Sequence, residues 1–232
     1  MGVAYGSSTI YQATKGIVQD GLVFNVDFGV KDCYSSGSAC SSLNNDITGV
    51  LQNNPSFDKD KGGSVFFDGT DEYISFSSTG LSVGSDYSTF VWCKPDLYTS
   101  NPIILFNAGD SNDNRIFNFD IRDNKTLVGH KISNGSYWTE TSTPLNDNQW
   151  NIVGSTYGSS SLKLWLNNQN LSSRTIGSPT GPTSDRVWLG RWVGSTAYPF
   201  KGYVSQVLIY NRALTATEVA QNFNVTRHRF GI

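Results

Sequence analysis

Residues 150–171 read WNIVGSTYGSSSLKLWLNNQNL, and the pattern of this stretch decides the fold class. Leu162, Leu164 and Leu166 occupy alternate positions, the period of a strand with one buried face. Asn167 and Asn168 follow at once, and asparagine tolerates the positive φ that a tight hairpin turn demands. The preceding run, WNIVGSTY, has the aromatic and β-branched content of a strand.

Similar segments extend in both directions. Upstream lie SVFFDG, EYISF, STFVWCKP, PIILFNA, RIFNFDIR, TLVGHKI and SYWTET; downstream lie VWLGRW and FKGYVSQVLIYN. Clusters of Gly, Pro, Asn or Asp separate them, with no helical period in between. Regularly spaced strands without helices imply an all-β sandwich or barrel. Nearer the front, GLVFNVDF sets Leu22, Phe24, Val26 and Phe28 on one expected core face. Residues 29–62 read as a long structured loop anchored by Leu43, Ile47, Leu51 and Phe57. One helix is expected, where Thr215 and Glu218 form a capping box and Val219 and Phe223 lie one turn apart. Residues 1–20 are polar and poorly periodic, so they read as an N-terminal arm before a domain at 21–232. The closing HRFGI, with His228, reads as a mobile basic tail.

Composition narrows the function. The 232 residues suit one large β-sandwich. A net charge of −2 offers no broad positive field, which argues against a nucleic-acid partner. No apolar run approaches the ~20 residues of a membrane span, so no membrane insertion is expected. MGVAYGSSTIYQATKG lacks the basic start and apolar middle of an export signal. Cys33 and Cys40 flank the loop CYSSGSAC and are either a disulfide or two free thiols, while Cys93 has no evident partner.

Several motifs in fixed order carry a resemblance. FDGTDEYISF, STFVWCKP, NQWNIVGSTYGSSSLKLWLNNQ and GYVSQVLIYNRALTATEVAQNFN resemble the signatures of the concanavalin A-like lectin/glucanase superfamily, in its laminin-G-like branch. The likeness covers residues 21–226 and implies a two-sheet antiparallel jelly roll with one short C-terminal helix. The front end, with GLVFNVDF, Lys31, Tyr34 and Pro55-Ser56-Phe57, resembles stand-alone virion proteins of tailed bacteriophages. That second likeness implies a non-enzymatic structural or decoration protein on the capsid or tail surface. Its partners would be other virion subunits or a second copy of itself, reached through the arm, together with cell-surface glycans. The expected location is the virion; the alternative is a carbohydrate-binding lectin module, at a fibre tip or secreted or at the cell surface.

A glucanase of this superfamily places carboxylates as E-x-D-x-E on one strand. This chain has three Glu, namely Glu72, Glu140 and Glu218, and none stands in that pattern. Asp120 and Asp123 are a poorly spaced pair, and the two histidines, His130 and His228, supply no nucleophile–base set. No enzyme is expected. Glycan stacking would fall to Tyr137 and Trp138 in NGSYWTET and to Trp192 and Tyr198 in GRWVGSTAYPF. The competing reading is core or rim packing, which most of the six Trp and eleven Tyr must serve. The resemblance further implies a structural calcium ion held by Asp27, Asp68 and Asp71. Ser205 stands where relatives carry an acidic ligand, and Asp68 and Asp71 read equally well as turn residues.

Overall fold

The computed structural model describes residues 16–60, 62–77, 81, 86–96, 103–109, 115–122, 126–132, 136–140, 143–176, 186–192 and 197–232. Two antiparallel eight-stranded sheets face each other as a jelly-roll sandwich. The first runs β14 (Gln169–Thr175), β13 (Ser161–Leu166), β12 (Asn151–Gly158), β7 (Tyr87–Pro95), β16 (Lys201–Tyr210), β5 (Ser64–Asp68) and β4 (Ser56–Asp58). β1 (Leu22–Asp27) pairs with the C-terminal half of β16. The second sheet runs β11 (Ser136–Glu140), β10 (Leu127–Ile132), β9 (Arg115–Ile121), β8 (Ile103–Gly109), β15 (Arg186–Leu189), β6 (Tyr73–Ser77), β3 (Thr48–Gln52) and β2 (Ala39–Ser41).

The leucine alternation of β13 closes the core as its spacing requires. Leu162 and Leu164 are fully buried, Leu166 nearly so, and Asn167 turns the chain at φ 57°. Phe24, Val26, Phe28, Val204, Val207 and Ile209 join the same core. Two alternations break, however, and each breaks at a bulge. The register slips between Leu22 and Phe24, so Leu22 packs on the opposite, outer face. It slips again at Ser205 between Val204 and Gln206, which sends Leu208 and Tyr210 outward.

Those outward residues form a second core. Helix α1 (Ala216–Thr226) lies over it, opened by the reciprocal bonds of Thr215 and Glu218. Trp92, Phe90, Ile152, Trp165, Leu208 and Tyr210 are sealed by Leu214, Val219 and Phe223. The Trp92 indole donates to Thr226 Oγ1 at 2.8 Å, which satisfies the one polar atom of a buried ring. Ile17 and Val18, at the end of the segment read as an arm, are buried in this core too, and the Val18 amide donates to Asn222 Oδ1 at 2.9 Å. The domain therefore starts before residue 21; residues 1–15 lie outside the described residues.

Two further differences concern polar segments. Residues 29–62, expected as loop, contain β2, β3 and β4, all short strands with few apolar anchors. The basic tail is a 3-10 helix, Arg227–Phe230, and Phe230 stacks on both Trp92 and Trp150 with centroids 4.4 Å away. Cys33, Cys40 and Cys93 are free, buried thiols, so the disulfide between Cys33 and Cys40 is not formed.

Candidate functional site

Backbone pairing forms an unbroken transverse row across the second sheet. Pairing runs Val50, Ser75, Trp188, Asn107, Asn118, His130 and Trp138 across β3, β6, β15, β8, β9, β10 and β11. The alternation that builds the row is plain along β6, β15, β8 and β9. Ile74, Phe76, Phe106, Ala108, Phe119, Ile121, Val187 and Leu189 face the core, and the polar or aromatic residues between them face away. Asn107, Asn118 and Asp120 are nonetheless buried, so this face is a covered polar floor. Asn118 Nδ2 donates to Asp120 Oδ1, and Arg122 Nη2 lies 3.5 Å from Asp120 Oδ2. Asn118 Oδ1 is buried with no hydrogen-bond partner among the described residues.

Aromatic rings gather at one end of this floor. Tyr73 and Trp188 lie 4.7 Å apart, and the Arg191 guanidinium sits over both, 4.0 Å and 5.3 Å from their centroids. Asn107 Nδ2 donates to the Arg191 carbonyl at 2.6 Å, and Arg191 Nη1 donates to the Asp71 carbonyl at 3.3 Å. The loop that follows is pinned at its base, where the Phe200 amide donates to the Gly190 carbonyl at 2.7 Å. Gly190 has φ 96°, and a Cβ there would stand 2.8 Å from the Phe67 ring. Beyond the pin, the rings of Trp192 and Tyr198 lie with centroids 6.1 Å apart and planes inclined by 54°. Tyr198 is 41% exposed and has φ 63°, a conformation non-glycine residues adopt at a cost.

The structure thus brings together two of the four expected aromatics, Trp192 and Tyr198. Tyr137 and Trp138 belong to β11 at the far edge of the sheet, with Trp138 at the end of the transverse row; their side chains lie outside the described residues. Tyr73, Trp188 and Arg191 were missed. The available signal was an aromatic on the polar face of each alternating strand, Tyr73 before Ile74 and Trp188 between Val187 and Leu189. Register also sets Asp120 opposite Val128 and Val128 opposite Glu140. Two carboxylate residues therefore share a row two strands apart, about 10 Å between Cα atoms at ordinary strand spacing. Sequence spacing had pointed only to Asp120 and Asp123, and Asp123 lies outside the described residues.

The residues implied for calcium do not fit the ion. Asp27 is buried, and its carboxylate takes Arg229 Nη1 at 2.6 Å, the Gly29 amide at 3.0 Å and Gln206 Nε2 at 3.2 Å. Arg229 also donates to the carbonyls of Gly62 and Gly63 and to Ser205 Oγ. A guanidinium therefore stands among the oxygens that a cation would need. Asp68 acts as a turn residue, accepting from the Thr70 amide at 2.7 Å. Among the described residues, no three His, Cys, Asp or Glu side chains gather. The Glu72 carboxyl is pushed above its ordinary range by burial and by Asp68 and Asp71 beside it.

A family model described as the concanavalin A-like lectin/glucanases superfamily matches residues 68–220. Among solved structures, domain 4 of AbnA, an extracellular arabinanase from Geobacillus stearothermophilus solved with arabinotriose, superposes with a TM-score of 0.69 at 19% identity, covering 87% of this chain and 97% of that one. The binding domain of Paraclostridial Mosquitocidal Protein 1 gives 0.71 at 16%, covering 88% and 52%. Trypanosoma rangeli sialidase gives 0.70 at 14%, covering 95% of this chain and 38% of that one. These likenesses show the fold. No curated protein sequence matches the chain.

Proposed function

The chain belongs to the concanavalin A-like lectin/glucanases superfamily, and on that premise we propose that it is a carbohydrate-binding module. One observation carries the reading: Trp192 and Tyr198 form an accessible aromatic pair on a pinned loop, beside the Tyr73, Trp188 and Arg191 stack. Flat rings offer their faces to the C–H surface of a sugar, and nearby amides and carboxylates orient its hydroxyls. The arabinotriose held by a domain of the same fold supports this choice of ligand class.

Titration calorimetry with a panel of neutral oligosaccharides, arabino-oligosaccharides included, tests it. Saturable binding is expected, weakened at least tenfold by Trp192→Ala. No binding across the panel, or equal binding by the variant, overturns the site. Release of reducing ends during the titration would instead assign chemistry to the row holding Asp120 and Glu140.

The finer reading places this module on a virion. It is supported by the likeness of GLVFNVDF and the loop after it to phage proteins. Ile17 and Val18 add a fixed anchor from which a leader could reach another subunit. Deleting residues 1–15 should leave a folded module that no longer sediments with particles.

A further inference from the structure

The outer face of the first sheet is covered unevenly. Helix α1, Ile17, Val18 and the 3-10 helix seal Phe90, Trp92, Trp165, Leu208 and Tyr210. Cover thins toward the N-terminal half of β16. There Tyr203 stands opposite Phe66 of β5, and both rings are half-buried, 4.8 Å apart and inclined by 47°. On the edge strand β4, Ser56 stands opposite Phe66. The chain then turns through Asp58, Lys59 and Asp60, and these residues with the two rings line an open cleft of about 460 Å³.

The wall of this cleft is fixed before any ligand arrives. Asp58 Oδ1 accepts from the Asp60 amide at 2.9 Å, and the Gly63 amide donates to the Lys59 carbonyl at 3.3 Å. Arg229 holds the carbonyls of Gly62 and Gly63 from the other side. Phe57 at the cleft edge is 38% exposed even though its ring rests 4.9 Å from that of Tyr34. A preformed cleft with accessible rings loses little freedom when it binds.

Its chemistry selects among ligands. Two tilted rings give a stacking surface, and Ser56, Asp58 and Asp60 offer acceptors for hydroxyl hydrogens. The carboxylates oppose an anion and Lys59 opposes a cation, which leaves an uncharged polyhydroxyl compound. We infer that this cleft is a second carbohydrate site, for a neutral saccharide, on the outer face of the first sheet and separate from the loop that holds Trp192 and Tyr198. The choice of sugar rests on the proposed function, while the location rests on the cleft. With two separate sites, one module bridges two glycan chains and gains avidity on a polymer.

Calorimetry with the neutral oligosaccharide that binds best, and precipitation of the parent polysaccharide, test this on the full chain, Trp192→Ala, Tyr203→Ala and Asp60→Asn. Asp60 is exposed, so its amide variant leaves the fold intact. Two sites per chain are expected in the parent protein. Tyr203→Ala should leave one, Asp60→Asn should weaken that same site at least tenfold, and both should lose precipitation while keeping the Trp192 site. If both cleft variants keep two sites and full precipitation, or if the parent shows one site that only Trp192→Ala removes, the cleft is not a sugar site and the first reading stands. Loss through Tyr203→Ala and Asp60→Asn but not through Trp192→Ala would uphold the cleft and overturn the first site. A parent protein that binds no sugar overturns both.

Discussion

Arg229 Nη1 lies 2.6 Å from Asp27 Oδ1, joining the last described helical turn to the first described strand across 202 positions. The Asp27 side chain is 3% exposed and that of Arg229 17%, so the pair is largely shielded from water. Arg229 further ties down Gly62, Gly63 and Ser205, which makes it the clasp between the C-terminus, β1 and the loop before β5.

Removing the clasp should be costly. Arg229→Met leaves a buried carboxylate without its cation, and breaking such a pair costs about 3–5 kcal/mol. Urea unfolding should show this loss, with part of it recovered in the Arg229→Met/Asp27→Asn double variant. A chelator should barely move the melting temperature of the parent protein, because a guanidinium occupies those oxygens. A fall of many degrees would instead reveal a bound divalent ion that stabilises by mass action.

Leu164→Asp tests the register of β13. Leu164 is fully buried between the sheets, and a charge there has no partner. A destabilisation of about 4 kcal/mol or more is expected, large among single substitutions. A parent-like unfolding midpoint would show that residue 164 faces water.

The thiols give a pH prediction. Burial raises Cys33 from 9.0 to about 12, and burial also pushes Cys40 and Cys93 up. A thiol whose pKa is higher in the folded state favours folding below its unfolded value and loses that contribution as pH climbs from 9 toward 12. Stability should therefore fall between pH 9 and 12, and less steeply in Cys33→Ala. Iodoacetamide at pH 8 should label none of the three cysteines in the native protein and all three in denaturant, because thiolate is the reactive form. Native mass two units low, with only Cys93 labelled in denaturant, would reveal a Cys33–Cys40 disulfide.

The cap of helix α1 predicts the acid limb. Arg212 lies 2.6 Å from Glu218 Oε1 and, with Thr215, holds that carboxyl near 2, well below its ordinary 4.5. A lowered carboxyl pKa favours folding above 4.5 and loses this contribution as pH falls toward 2. Glu218→Gln keeps an oxygen for the Thr215 amide but loses the ion pair with Arg212, so it should cost up to about 1 kcal/mol at neutral pH and should flatten the acid limb. Denaturant midpoints from pH 7 to 2.5 check both parts.

Some of this was determined by sequence alone. Strand-period alternation placed the inward residues of LKLWLN and, apart from Leu22, of GLVFNVDF, while that of YVSQVLIY held only up to its bulge; Thr215 to Glu218 placed the one α-helix that is described, because both signals are local and repeat within a few residues. The short strands β2, β3 and β4 gave no such signal, since three to five half-exposed residues carry too few apolar positions to set a period. The bulges at Leu22 and Ser205 were invisible for a related reason. Which face a residue takes after a bulge depends on where the partner strand resumes pairing, and that is set by packing across the sheet. The sites depended on the same non-local terms. Trp192 and Tyr198 sit on one loop, so sequence could nominate them, but their meeting depends on how Gly190 and Phe200 pin its base. Tyr73 joins Trp188 only because β6 and β15, more than a hundred residues apart, pair in one register. Arg229, read as part of a loose tail, reaches Asp27 because Phe230 stacks on Trp92 and Trp150. Local spacing encodes elements, whereas the juxtaposition of distant residues is decided by which apolar faces the folded chain must bury.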